Sequence, residues 1–194
     1  MSLIQSLTAA LLVTSGVQAT DLSQLPSFLK QVSTNIWPAL KDISVAIYHD
    51  PEVGLDEHLA HDRVVRHFHG LDDWTTKPSA FGMSTAFEMS FEHIPKGYKG
   101  PVNTIGFLAE YDALVGVGHA CGHNHIVLNG MTAAILTSQA LQHFDIPGRV
   151  KLVGCPDEEF AGLERVKDGL KALGGRDTWG KVIIKIAPEN DSKL

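Results

Sequence analysis

From Thr104 onward, apolar runs of strand length alternate with runs of helical spacing, and that alternation leaves few folds open. Residues 104–109 form a short apolar run, and Glu110 follows it. Over residues 126–144, Ile126, Met131, Ala134, Ile135, Ser138 and Leu141 fall on or near one helical face. Pro147-Gly148 closes that helix, and residues 150–155 read as a second buried strand. Residues 160–173 read as a helix ending at Gly174-Gly175, and residues 182–186 as a third apolar run. Strand, helix, strand, helix, strand is a βαβ pattern, which implies parallel strands. The expected class is α/β: a three-layer, mostly parallel sheet with helices on both faces.

Upstream, Leu25, Phe28, Leu29, Val32, Ile36, Leu40, Ile43 and Ile47 recur at helical spacing. Pro38 is expected to break or kink this helix, or to start a second one. Asp50-Pro51 marks a turn, and residues 55–68 read as a helix with Leu59, Val65 and Phe68 inward. Thr85, Phe87, Met89 and Phe91 alternate with more polar residues, which predicts a half-exposed strand joining one edge of the sheet.

Composition narrows the function. With 194 residues, 44% of them hydrophobic, the chain is long enough for one buried domain, or one domain plus a short appendage. Its 16 Lys+Arg against 22 Asp+Glu give a net charge of −6 without a basic stripe, which disfavours nucleic acid and acidic membranes. Two cysteines, Cys121 and Cys155, exclude a disulfide scaffold but leave a single bridge open. No apolar run in the body approaches the ~18 residues of a membrane span. Residues 1–19 combine a mildly apolar core with Val17-Gln18-Ala19, which has the form of a signal-peptidase site, but lack a basic start. They read either as a signal peptide or as a surface helix, so the compartment, cytoplasmic or secreted, stays open.

The chemistry is concentrated. Glu110, Asp112, His119, Cys121, His123 and His125 lie within sixteen residues, between a predicted strand end and a helix. Cys155-Pro-Asp-Glu158-Glu159 follows the next strand and should open on the same edge of the sheet. Sites in open parallel sheets form at the carboxyl ends of strands. Cys121 and His123, two apart with Gly122 between, offer a thiolate and an imidazole to one side. A thiolate, an imidazole and a carboxylate suit zinc or a similar borderline metal, and three protein ligands leave room for water. A metal lowers the pKa of its water to about 7, and a neighbouring carboxylate can take and return the proton. Glu158 and Glu159 suit a division of labour, one on the metal and one offset to handle the proton, and Asp112 suits the orientation of a histidine.

Plainer explanations exist for each part. Adjacent acids at a strand end fit a solvated turn or a helix start. His119 and His125 fit capping or packing roles. His49, His58, His61, His67, His69 and His93 read as surface or structural residues, and Cys155 as a core thiol. The metal reading rests on the combination at one sheet edge.

The run Ala109-Glu-Tyr-Asp-Ala-Leu-Val-Gly-Val-Gly-His-Ala-Cys-Gly-His-Asn124 resembles the signature of the aminoacylase/carnosinase-type metallopeptidases. The nearest branch is the amidohydrolases of N-acyl amino acids, auxin conjugates and basic-residue dipeptides. Tyr48-His-Asp-Pro-Glu-Val-Gly-Leu-Asp-Glu57 resembles that branch's His-x-x-Pro-Glu-Leu-x-x-x-Glu segment, with one residue fewer before Pro51. Gly154-Cys-Pro-Asp-Glu-Glu159 resembles its Gly-x-Pro-x-Glu-Glu motif. The resemblance implies a zinc peptidase catalytic fold and one or two zinc ions, with manganese or cobalt as substitutes. It implies Cys121 as bridging ligand, His123 and Glu159 as ligands, and Glu158 as general base. The substrate implied is a dipeptide or N-acyl amino acid.

The family also carries two further histidine ligands and a lid or dimerisation domain, whereas His143 is the last histidine here. The expected organisation is therefore a partial catalytic domain over residues 20–175 and a divergent tail over 176–194, without the lid. Impaired metal-dependent amide hydrolysis is the first expectation, with low metal affinity. A non-catalytic remnant acting as a weak metal- or partner-binding module is the second. A cysteine hydrolase pairing Cys121 with His119 or His123 is the third. Self-association through exposed apolar surface is a further expectation.

Overall fold

A computed structural model describes residues 21–159. The N-terminal segment 1–19, the helix expected over 160–173, the strand expected over 182–186 and the tail 176–194 lie outside the described residues.

Helix α1 (Leu25–His49) is continuous through Pro38. Pro38 lies on the exposed side of the helix. The carbonyl it leaves without an amide partner can therefore turn to water. Ile36, Leu40, Ile43 and Ile47 keep the packed side in register across it. Helix α2 (His58–His69) starts later than the sequence pattern suggests. Its buried residues are Ala60, His61, Val64 and Phe68, while Leu59 is 51% exposed. Phe68 is buried and Val65 packs partly buried as expected, but Leu59 is outside, and His61 is a core residue.

Four strands follow: β1 (Trp74–Pro78), β2 (Phe87–His93), β3 (Thr104–Glu110) and β4 (Gly148–Cys155). Helix α3 (His123–His143) joins β3 to β4. The sheet order is β1-β2-β4-β3. β3 and β4 run parallel, while β2 pairs antiparallel with both β4 and β1. The α/β class holds, and the described sheet is mixed. β2 sits inside the sheet, not at its edge, because β1, unmarked by any clean apolar alternation, covers it.

Residues opposite one another across the ladders share a face: Phe91 with Val150 and Ile105, Met89 with Leu152 and Phe107, Phe87 with Gly154 and Ala109. Helices α2 and α3 pack on this face, and α1 packs against them. Phe68 of α2 meets Trp74 edge-on at 4.7 Å, and His61 lies 6.0 Å from the Phe87 ring. α3 lies so close to β3 that a Cβ on Gly130 would meet the Leu108 carbonyl oxygen at 2.6 Å. The opposite face carries the ion pairs Lys151–Glu88 and Arg149–Glu92. Among the described residues no helix is long and apolar enough to cross a membrane.

Candidate metal centre

The βαβ unit creates the site. β3 and β4 are adjacent and parallel, with Glu110 and Cys155 in register at their carboxyl ends. The loop after β3 leads through a single 3-10 turn, His119–Cys121, into α3 at His123. The loop after β4 leads to Glu158 and Glu159. Parallel neighbours must leave the sheet on one edge, so segments almost forty residues apart meet there. Gly122, at φ 85°, makes the left-handed bend between the two, a conformation open to glycine at little cost. The start of α3 is tied to α1 by the Ser44 hydroxyl, which donates to the Asn124 carbonyl at 2.8 Å.

His123 is the centre of the cluster and only 2% exposed. Its Nδ1 lies 2.9 Å from both the carbonyl and the Oδ1 of Asp112. Two acceptors at Nδ1 place the ring proton there, which leaves the Nε2 lone pair free to act as a ligand. Nε2 faces Glu158 at 3.4 Å, Glu159 at 3.6 Å and Glu110 at 3.7 Å. Ligand atoms of Cys121, His123 and Glu159 all lie within 4.8 Å of one another, and so do those of Glu110, His123 and Glu158.

Asp112 organises both halves. It is fully buried, and its Oδ2 accepts the Glu159 amide at 2.9 Å. Burial would raise its carboxyl pKa, but the hydrogen bonds from His123 and the Glu159 amide outweigh burial and hold it below the usual value. For His123 burial works against the charge, and the Asp112 carboxylate, with Glu110 beyond it, reverses that and raises the pKa. Burial raises the Cys121 thiol. At Cys155 burial, and then the carboxylates of Glu110, Glu158 and Asp112, push the thiol up to about 12. Both cysteines are free thiols, so the single bridge left open by the sequence is not formed.

Every residue singled out for the site thus lies in one cluster: Cys121, His123, Glu159, Glu158 and Asp112. Both glutamates reach the same ring nitrogen, but their ligand atoms fall in different groups, Glu159 with Cys121 and Glu158 with Glu110. They differ in exposure too, Glu158 at 37% and Glu159 at 23%. Glu110 belongs to the cluster too; sequence reading placed it among the candidate groups without giving it a role. His119 is buried beside the cluster, whereas His125 is exposed.

The donor set fits a divalent cation. Four carboxylates lie within 3.7 Å of one imidazole. A single imidazolium cannot balance them, and buried charge needs a partner. Sulfur, nitrogen and oxygen donors together suit zinc better than magnesium or calcium.

No protein-family model matches the chain. It is 39% identical over 126 residues to a Mus musculus protein named Xaa-Arg dipeptidase, covering 62% of this chain and 29% of that one. Its Homo sapiens counterpart is 38% identical over 131 residues, with the same coverage. The p-aminobenzoyl-glutamate hydrolase of Escherichia coli K12 contains a polypeptide that is 29% identical over 135 residues, 61% of this chain and 26% of the relative. The matches thus span under a third of the length of these curated relatives. Among solved structures, a Bacillus subtilis dinuclear metal-binding peptidase of the M20 family aligns with a TM-score of 0.51 and 20% identity. That alignment covers 77% of this chain and 41% of the other. A Staphylococcus aureus protein provisionally assigned as an aminohydrolase aligns with a TM-score of 0.52 and 19% identity, over 74% and 38% of the two chains. These likenesses establish a shared fold.

Proposed function

We propose, for a chain similar over about three fifths of its length to Xaa-Arg dipeptidases, that the cluster around His123 serves metal-dependent hydrolysis of an amide bond in a dipeptide or N-acyl amino acid. The supporting observation is the convergence of Cys121, His123 and Glu159 on one point, with Glu158 on the same nitrogen. Those three residues would hold zinc, which would supply Lewis acidity toward water and the scissile carbonyl.

The chain's own groups would divide the remaining work. Asp112 fixes the His123 ring through Nδ1 and the Glu159 backbone through its other oxygen. Glu158, the more exposed of the pair, is open to the substrate side and suits proton transfer from the attacking water to the departing amine. The dipeptidase names of the sequence relatives favour a substrate with a basic C-terminal residue.

The test uses the whole chain with added zinc, cobalt or manganese and a panel of Xaa-Arg and Xaa-Lys dipeptides. Glu158→Gln should retain metal while losing about 10²- to 10⁴-fold in rate, and Cys121→Ser should lose metal. Equal zinc binding by wild type and Cys121→Ser would overturn the centre. Weak zinc binding without turnover of any amide would assign the chain to the metal-binding module expected second from its sequence.

A further inference from the structure

The segment between α1 and α2 holds a carboxylate that the proposed chemistry does not use. Glu57 is completely buried. Its Oε1 accepts the backbone N–H of Asp157 at 2.7 Å, across 100 residues of chain. Asp157 immediately precedes Glu158 and Glu159 and adopts a left-handed backbone, φ 61°. Such a conformation in a non-glycine residue persists where its surroundings hold it.

The contact is one of several between the two segments. A Cβ on Gly54 would fall 1.9 Å from the Asp157 Oδ1, so this glycine lets the Asp157 side chain lie directly on the loop. The loop itself is fastened twice. Both Glu52 carboxylate oxygens accept amides at the start of α2, from Leu59 and Ala60 at 2.9 and 2.8 Å. The Glu52 carbonyl accepts the Ala113 amide at 2.8 Å, one residue beyond Asp112. Glu57 is thus presented from a braced segment.

We infer that Glu57 is a positioning residue, whose carboxylate fixes the backbone of the segment that brings Glu158 and Glu159 to the cluster. Asp112 grips that segment at the Glu159 amide, and Glu57 grips it two residues earlier, at the Asp157 amide. Glu158 lies between the two fixed amides. With one grip released, the segment can pivot about the other, and Glu158 and Glu159 lose their common approach to His123. The consequence for metal and rate rests on the proposed hydrolytic centre; the backbone contact does not.

The experiment has two arms on the full chain. In the first, hydrogen exchange of the amides from 154 to 159 is followed without added metal. Glu57→Ala should speed exchange at Asp157, and Glu57→Gln, which keeps a carbonyl acceptor, should match wild type. In the second, zinc affinity is measured by competition with a chelator. Glu57→Ala should weaken it by about 10- to 100-fold, and Glu57→Gln should restore it. Should Glu57→Ala fail to fold, Glu57→Asp, which withdraws the carboxyl by one methylene, is expected to behave as the alanine variant in both arms. Unchanged exchange at Asp157 in folded Glu57→Ala or Glu57→Asp overturns the inference. Absence of zinc binding by wild type, with the exchange result as expected, overturns the metal centre and leaves the positioning contact standing.

Discussion

At the residue scale, the centre depends on second partners as much as on ligands. Asp112→Asn replaces an acceptor-only group with one that must point an amide at the His123 Nδ1 proton or at the Glu159 amide. Both of those are donors. Metal affinity is expected to fall by about 10- to 100-fold, with the far-ultraviolet circular dichroism retained; calorimetric zinc titration checks it. Asp112 was legible from its position between the β3 strand end and the Cys-Gly-His run. Glu57 was not, because only the resemblance marked its segment and the Asp157 amide it holds lies far away in sequence.

Glu57 also has a pH signature. Burial raises its carboxyl above the ordinary value of 4.5, and its own backbone amide and that of Asp157 offset this only in part. Asp157 is held by Glu57 through its amide, and nearby Tyr111 stays a neutral phenol because burial raises it well above 10.0. The folded protein therefore binds the Glu57 proton more tightly than the unfolded chain does. Its contribution to stability is complete below the unfolded value and is lost as pH rises through the folded one. Glu57→Gln cannot lose that proton. Its melting temperature relative to wild type is expected to move in the variant's favour from about pH 4 to pH 7. Paired thermal melts across that range decide it.

At the scale of elements, strands and helices with strong periodicity were readable. The alternation around Phe87, Met89 and Phe91 is the inner face of β2, and the apolar runs over 104–109 and 150–155 are β3 and β4. The phase of α2 was readable only in part. Phe68 and Val65 pack inward as their spacing suggests, but Leu59 is exposed and His61 and Val64 are buried in its place. β1 was invisible because Thr75, Lys77 and Pro78 face solvent at an edge. The α3–β3 contact gives a direct test. Gly130→Ala would push a methyl against the Leu108 carbonyl oxygen, a backbone atom held in the sheet and unable to yield like a side chain. The variant is expected to lose about 1–3 kcal/mol of stability, read from urea unfolding.

At the scale of the whole molecule, a metal that binds the folded cluster and not the unfolded chain must stabilise the fold. At free zinc about 100-fold above its dissociation constant the gain is about 2.7 kcal/mol. The melting temperature should rise with zinc, fall back with a chelator, and stay unmoved in Cys121→Ser. A rise of equal size in Cys121→Ser would place the zinc elsewhere.

The amino-acid sequence by itself determined which chemistry is present and where it falls along the chain. Thiol, imidazole and carboxylates follow two apolar runs, and residues of that kind at strand ends need no knowledge of the fold to be recognised. Tertiary structure decided how those groups face one another. Parallel pairing of β3 with β4 brought both loops to one edge. The buried acceptors of Asp112 and Glu57 then set the approach of Glu158 and Glu159. The physical reason is range. Periodicity and residue type act over a few positions, whereas a hydrogen bond across 100 residues exists only after the sheet and helices have closed around it.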